Sequence, residues 1–221
     1  MKIIALTDIH GKTQAADRIA DQLAAADLVL LPGDLTMFGK RDDAMRVVDA
    51  VGRHNPKILA VMGNCDCPEV EQFLVDENIC IHRGHKVIDG VVFAGLGGSL
   101  PCPVQTLNEW SEDQIAEHLD AALEGAPDDK PLVLVSHQPA HNTVTDLAGI
   151  GLHVGSTAVR GFIERRKPVI CFSGHIHEAQ GTDRIGASTL VNPGPFMDGR
   201  YVWAELDGGQ CRVEIRRAPA Q

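Results

Sequence analysis

Short apolar runs alternate with amphipathic stretches along most of the chain. The runs are KIIAL (2–6), LVLL (28–31), KILAVM (57–62), VVFAGL (91–96), PLVLVS (131–136) and PVICFS (168–173). Each is continuous rather than alternating, and each ends in polar or glycine-rich residues. That pattern predicts strands buried on both faces. Helical patterns lie between the runs. Ile19 and Leu23 share a face in a helix over 13–26. Ser111 and Gln114 form a capping-box pair ahead of Ile115, Leu119 and Leu123, which recur every four residues. Ser156 is placed to cap a helix running to about Arg166. The alternation of strand and helix predicts a layered α/β fold.

The pattern changes after the sixth run. TDRIGASTLVNPG reads as a hairpin with a glycine turn, and RYVWAEL and CRVEIRR flank DGGQ as a second hairpin. These predict an antiparallel contribution to a second sheet. No linker, internal repeat or low-complexity segment interrupts the chain, so residues 1–221 are expected to form a single domain.

Composition narrows the partners. At 221 residues and 44% apolar content, the chain can bury a sizeable core, and with one Tyr and two Trp that core is mostly aliphatic. Lys plus Arg is 20 against 30 for Asp plus Glu, a net charge of -10. Non-specific nucleic-acid binding depends on a basic face that displaces counterions, so this balance argues against it. It leaves open a small anionic substrate held by metal. KIIALTD after Met1 has no long apolar core and no cleavage site, no run reaches the length of a membrane span, and the six cysteines are scattered. These features predict a cytoplasmic protein with free thiols and no membrane partner. A homodimer is the default expectation for a small enzyme.

The chemistry concentrates just beyond the strands. Asp8 and His10 follow the first run in TDIHG. Asp34 follows the second in PGDLT, and Asn64 and Asp66 follow the third in MGNCD. His137 follows LVLVS, and His175 and His177 follow VICFS in SGHIH. Ligand sites in α/β sheets form beyond the carboxyl ends of strands. Taken singly, each motif has an ordinary explanation in turn geometry or a hydrogen-bonded histidine. Five strand ends delivering metal-capable side chains in chain order do not.

The series D-x-H, G-D, G-N, S-H and G-H-x-H, spanning residues 8 to 177, resembles the calcineurin-like metallophosphoesterases. The resemblance implies a four-layer α/β/β/α sandwich with two mainly mixed sheets and a dinuclear metal site at the strand ends. It implies that Asp8, His10 and His177 bind one metal, that Asn64, His137 and His175 bind the other, and that Asp34 bridges them. Mixed oxygen and imidazole donors suit divalent Mn, Fe, Zn, Ni or Co rather than calcium, with manganese the first choice. Two such ions can hold both non-bridging oxygens of a phosphoester and supply a bound hydroxide as nucleophile. With two aspartates and one hydroxide the filled site is net positive, and so attracts phosphate to an acidic protein.

One position departs from the family pattern. Many members carry a histidine after the G-N asparagine, and here the residue is Cys65. A thiol is a weak hydrogen-bond donor, so protonation of the leaving group passes to another residue or is weaker. His153, before Ser156 at a predicted helix start, is the first substitute, with Ser156 and Arg160 beside it, because free amides at a helix start suit phosphate. His141 is the second. Ser99, in the glycine-rich GLGGSLP loop, is a further candidate substrate contact, although that loop lacks the Walker spacing. Cys65 and Cys67 are candidates for soft-metal binding, or else one is buried and the other merely nearby. Asp66 is read as orienting a ligand or closing a turn.

The expected function is hydrolysis of a small phosphodiester or phosphomonoester, with Asp34, Asn64 and His153 as the catalytic candidates. Diesters are favoured because no cluster of Arg or Lys stands near the motifs to bind a dianion. A metal-binding scaffold without turnover and a nuclease are the alternatives.

Overall fold

The structure, a computed structural model, describes residues 1–207 and 209–220. Two sheets form its centre. The first contains β1 (Lys2–Ala5), β2 (Leu28–Pro32) and β3 (Ile58–Val61), mutually parallel, with β10 (Arg200–Asp207) antiparallel to β1 and β11 (Gln210–Arg217) outside it. The second has the order β4 (His85–Ile88), β5 (Val91–Leu96), β6 (Leu132–Ser136), β7 (Ile170–Phe172), β9 (Ser188–Asn192) and β8 (Gly181–Ile185). β5, β6, β7 and β9 run parallel, whereas β4 and β8 are antiparallel edges. All six apolar runs are therefore strands. The terminal hairpins divide between the sheets rather than joining one. Gly208, in the expected turn of the second hairpin, lies outside the described residues.

Three apolar clusters fill the spaces between four layers. Residues alternate along each strand, as a pleated strand with both faces covered requires. Ile3, Ala5, Leu28, Leu30, Leu59 and Val61 face the second sheet and meet Val91, Phe93, Val133, Val135 and Phe172 there. Their neighbours Ile4, Val29, Leu31 and Ala60 face outward, against Ile19, Leu23, Val47, Val51, Val70 and Phe73. On the far side of the second sheet, Leu96, Leu134, Cys171 and Leu190 meet Ile115, Leu119, Val159, Phe162 and Ile163. Full burial of one such side chain contributes about 1.5–3 kcal/mol. The α/β/β/α sandwich is thus set by period-two alternation on both sheets.

The helices show where local sequence was sufficient. α5 (Glu112–Ala122) begins at the predicted capping box: Ser111 Oγ accepts from Gln114 N at 3.2 Å, and Ser111 N donates to Gln114 Oε1 at 2.9 Å. α6 (Thr157–Arg166) starts after Ser156 as expected. The predicted helix over 13–26 is instead two pieces, α1 (Gln14–Arg18) and α2 (Ala20–Ala25). At Ile19 the backbone leaves the helical region, and its N–H turns to Ala16 O, three residues back, at 3.2 Å. Ile19 and Leu23 still bury the same face. α3 (Arg41–Gly52) and α4 (Pro68–Asp76) complete the layer on the first sheet.

Candidate metal centre

The strand-end residues converge from both sheets. Asp8, His10, Asp34 and Asn64 follow β1, β2 and β3, while His137, His175 and His177 follow β6 and β7. Turning the chain sharply off β1, β2 and β7 imposes unusual backbone: Asp8 (φ 53), His10 (φ 47), Asp34 (φ 51) and His175 (φ 67) are all left-handed. A non-glycine residue held there costs on the order of 1–3 kcal/mol and persists only where its surroundings over-determine it. Close packing adds a second requirement. A Cβ on Gly174 would overlap Thr7 Oγ1 and the Asp8 carboxylate, and one on Gly33 would overlap the His137 ring.

Two groups of potential ligand atoms result. Asp8, His10 and His177 form one, and Asp8, Asp34 and His137 the other. His10 Nε2 lies 3.3 Å from His177 Nε2 and 3.7 Å from Asp34 Oδ2, and His177 Nε2 lies 3.4 Å from Asp8 Oδ1. His137 Nε2 stands 2.8 Å from Asn64 Oδ1 and 3.6 Å from Asp34 Oδ1. The His175 ring is 5.2 Å from that of His137, centroid to centroid. His175 anchors the first carboxylate through its main chain, its N–H lying 3.2 Å from both Asp8 oxygens.

Hydrogen bonds from behind set the ring orientations. His137 Nδ1–H donates to Pro32 O at 2.8 Å, which leaves the Nε2 lone pair directed at Asn64 and Asp34. His10 Nδ1–H likewise faces Thr36 O at 3.3 Å. Thr36 belongs to a loop fastened by Asp66. This buried carboxylate accepts from Thr36 N and Thr36 Oγ1 (both 2.7 Å), Gly63 N (2.8 Å) and Leu35 N (3.1 Å). Asp66 therefore both orients the Asp34 loop and closes the turn.

Electrostatics match a site built around cations. Among the described residues, neither Asp8 nor Asp34 has a Lys or Arg ion-pair partner; both face histidines. Burial and the neighbouring Asp8 charge push the Asp34 carboxyl above the usual carboxylate range. For Asp8, burial opposes ionisation, but the hydrogen bond with His177 and the charges of the surrounding histidines outweigh it and hold its pKa low. Burial pulls His137 down, and burial together with His137 pulls His175 to about 3, so both rings are neutral with donor lone pairs available. Two close carboxylates, neutral imidazoles and an amide oxygen with no side-chain cation beside them fit divalent metal.

The expected substrate contacts fare unevenly. Ser156 is fully buried; its hydroxyl donates to Glu112 Oε2 at 2.5 Å and accepts from Val159 N at 3.1 Å. Glu112 also accepts from Thr157 N (2.8 Å) and Ala158 N (3.0 Å), so a carboxylate of the chain itself fills the start of α6. The expectation of phosphate binding there is corrected. Arg160 is likewise engaged, with His141 O, Asn142 O and Glu164. Ser99 is buried and its hydroxyl donates to Leu100 O at 2.8 Å, so it serves its own loop. Cys65 donates its N–H to Asp34 Oδ1 at 2.9 Å; burial and the Asp34 charge raise its pKa, so it remains a thiol. Cys65 and Cys67 are both half-buried, so the expectation that one is buried is not met.

His153 and His141 share the buried Asp146. His153 Nδ1 is 2.7 Å from Asp146 Oδ1, and His141 Nδ1 is 3.7 Å from Oδ2. Their loop lies along the His175–His177 segment: Asn192 Nδ2 donates to Thr145 O, Gly174 O and Ile176 O, and Gly149 N donates to Glu178 Oε1. Asp146 had no motif to announce it. Cys102, whose sulfur lies 3.6 Å from His175 Nε2, had none either.

Comparison with known proteins agrees with this geometry. The profile of the calcineurin-like phosphoesterase family matches residues 1–179. The chain is 37% identical over 199 residues, 88% of each sequence, to an uncharacterized protein, MJ1162, of Methanocaldococcus jannaschii. Among solved structures, it resembles TT1561 of Thermus thermophilus (TM-score 0.78, 20% identity, 99% of both chains). It also resembles a dimetal phosphatase from Danio rerio (TM-score 0.68, 14% identity, 99% of this chain and 96% of that one). The family and the paired ligand groups support two divalent metal ions. With five strand ends meeting at one buried cluster of carboxylates and imidazoles, the chain belongs to the calcineurin-like phosphoesterase family and is a metal-dependent phosphoester hydrolase.

Proposed function

We propose that the chain hydrolyses a small phosphodiester, with the corresponding monoester a poorer substrate. Asp8, His10 and His177 hold one ion, Asn64, His137 and His175 the other, and Asp34 lies between them. The observation that carries the reading is the position of Asp34, with His10 Nε2 at 3.7 Å from one carboxylate oxygen and His137 Nε2 at 3.6 Å from the other. Asp34 thus faces one histidine of each proposed ligand set. Divalent ions there supply Lewis acidity and activation of a water, manganese being the first choice. Asn64 and Asp34 fix the reacting phosphorus between the groups. His153 is the candidate proton donor: Asp146 accepts its Nδ1–H, and in the imidazolium form the exposed ring presents Nε2–H to the leaving oxygen. The preference for a diester rests on the lack, among the described residues, of a Lys or Arg ion-paired with either carboxylate. The substrate is a small molecule rather than nucleic acid, in keeping with the net charge of -10.

The test is hydrolysis of a bis-aryl phosphodiester and the matching aryl monoester by metal-stripped protein reloaded with Mn²⁺, beside Asp34→Ala. Metal-dependent turnover that vanishes in the variant, with the diester faster, supports the proposal. Faster monoester turnover replaces the substrate class. Metal bound without any turnover removes the assignment of these substrates.

A further inference from the structure

Exposed apolar side chains gather at the end of the sandwich that holds the metal centre. Among the described residues eleven large apolar side chains are exposed, and two, two and four of them lie in the β2–α3, β5–α5 and β6–α6 loops. These loops leave the carboxyl ends of their strands, where the site is built. Exposed apolar residues scattered singly need no explanation, but a concentration around one centre marks a binding surface.

Two of these residues are tied to the site itself. Phe38 N donates to Cys65 O at 2.9 Å, and Leu107 N donates to Asn64 O at 2.9 Å. Two loops thus meet on consecutive residues of the Gly63–Asp66 turn. Asn108 Nδ2 fastens the second loop there, donating to Gly63 O (2.8 Å) and Asp66 O (2.7 Å). Yet Phe38 is 48% exposed and Leu107 49% exposed, and neither belongs to any of the three apolar clusters. Burial therefore does not hold Phe38 in place. Its φ of 54 is a left-handed conformation that a bulky residue rarely adopts. The bond to Cys65 and a 3.3 Å contact from Cys67 Sγ to Phe38 O keep it there. Strain of this kind collects where a ligand is clamped. Cys65, half-buried at the same turn, adds a small apolar group.

We propose that Phe38 and Leu107 seat an aromatic ring carried by one ester oxygen of the substrate, and so select phosphodiesters that bear a flat apolar group. The proposal rests on the phosphodiester reading above and names its substrate class. The occupant follows from the place of the seat: beside Asn64 and Cys65 stands the organic group joined to the phosphorus held there. Phe38 offers a ring for offset or edge-on stacking, and Leu107 offers aliphatic contact. A nucleobase and a simple benzyl or aryl group share this chemistry.

The experiment is competitive inhibition of bis-aryl phosphodiester hydrolysis by the Mn²⁺-loaded full-length protein. The competing esters are dimethyl phosphate and its analogues with one methyl replaced by cyclohexylmethyl, benzyl or a nucleoside 5′ group. Wild type, Phe38→Ala, Phe38→Tyr and Leu107→Ala are compared, with thermal melts to establish folding. The expected result in wild type and Phe38→Tyr is an inhibition constant roughly ten- to a hundredfold lower for a ring-bearing ester than for dimethyl phosphate, the usual worth of one stacked ring. In Phe38→Ala and Leu107→Ala that advantage shrinks toward the dimethyl value. Tight binding of the nucleoside ester alone identifies the ring as a nucleobase, and tight binding of the benzyl ester as well identifies a general aromatic seat. A cyclohexylmethyl ester as tight as the benzyl ester, with no gain for the nucleoside, overturns ring selection. Equal constants for all the esters, or a ring preference that survives in both folded Ala variants, overturns the seat and leaves the hydrolase reading standing. Absence of bis-aryl turnover by wild type removes the phosphodiester reading and this proposal together.

Discussion

His137 Nε2 and Asn64 Oδ1 meet at 2.8 Å inside the protein, an imidazole lone pair facing an amide oxygen. An ion that takes both atoms as ligands binds the folded chain and not the unfolded one. Metal removal is expected to lower stability. An ion at a hundred times its dissociation constant adds about 2.7 kcal/mol, which for a chain of this size raises Tm by roughly 5–11 °C. Calorimetry of stripped protein with and without Mn²⁺ or Zn²⁺ checks this, and an unchanged Tm would contradict it.

His153→Ala should slow hydrolysis in proportion to the basicity of the leaving group. An alkyl ester loses on the order of 10²–10⁴-fold, whereas an activated aryl ester loses little. Rates across a series of leaving groups provide the check. A uniform loss across the series would mean that His153 only shapes the loop.

The Asp146 carboxyl links acid stability to that loop. Burial opposes its ionisation, but the amides of Thr143, Gly155 and Asn142 and the His153 ring outweigh burial and hold its pKa below the usual value. A depressed folded pKa gives stability that is present above the unfolded value near 4 and is lost as pH falls through the lower folded value. Wild type should therefore lose stability below about pH 4, and Asp146→Asn, less stable at neutral pH, should show a shallower acid limb. Urea melts between pH 3 and pH 7, compared pairwise, measure the difference.

Gly174→Ala places a methyl group where Thr7 Oγ1 and the Asp8 carboxylate already lie. Overpacking of this kind costs typically about 1–3 kcal/mol. It also shifts a proposed metal ligand, Asp8, so bound metal should fall below two per chain. Melting and metal analysis of the purified variant decide the point; full occupancy with wild-type stability would show that the loop yields.

Much of this was readable from the chain. The six apolar runs became strands because both faces of each are covered, and the candidate ligands were legible because each sits one to five residues beyond such a strand. The edge strand β4 was not, since His85 and Lys86 give no apolar run and one side of the strand is solvent. Ser156 was correctly placed at a helix start but misread as open, because its occupant Glu112 lies 44 residues upstream. Cys102 reaches its histidine across 73 residues through a folded loop, a contact no local pattern encodes.

The proposed ligands also divide by parentage: Asp8, His10, Asp34 and Asn64 hang from one sheet, and His137, His175 and His177 from the other. Ions held among them act as rivets through the seam of the sandwich. Amide exchange at the carboxyl ends of β1, β2, β6 and β7 should therefore slow together when metal enters, so that a catalytic cofactor doubles as the clamp that fixes how the two halves slide.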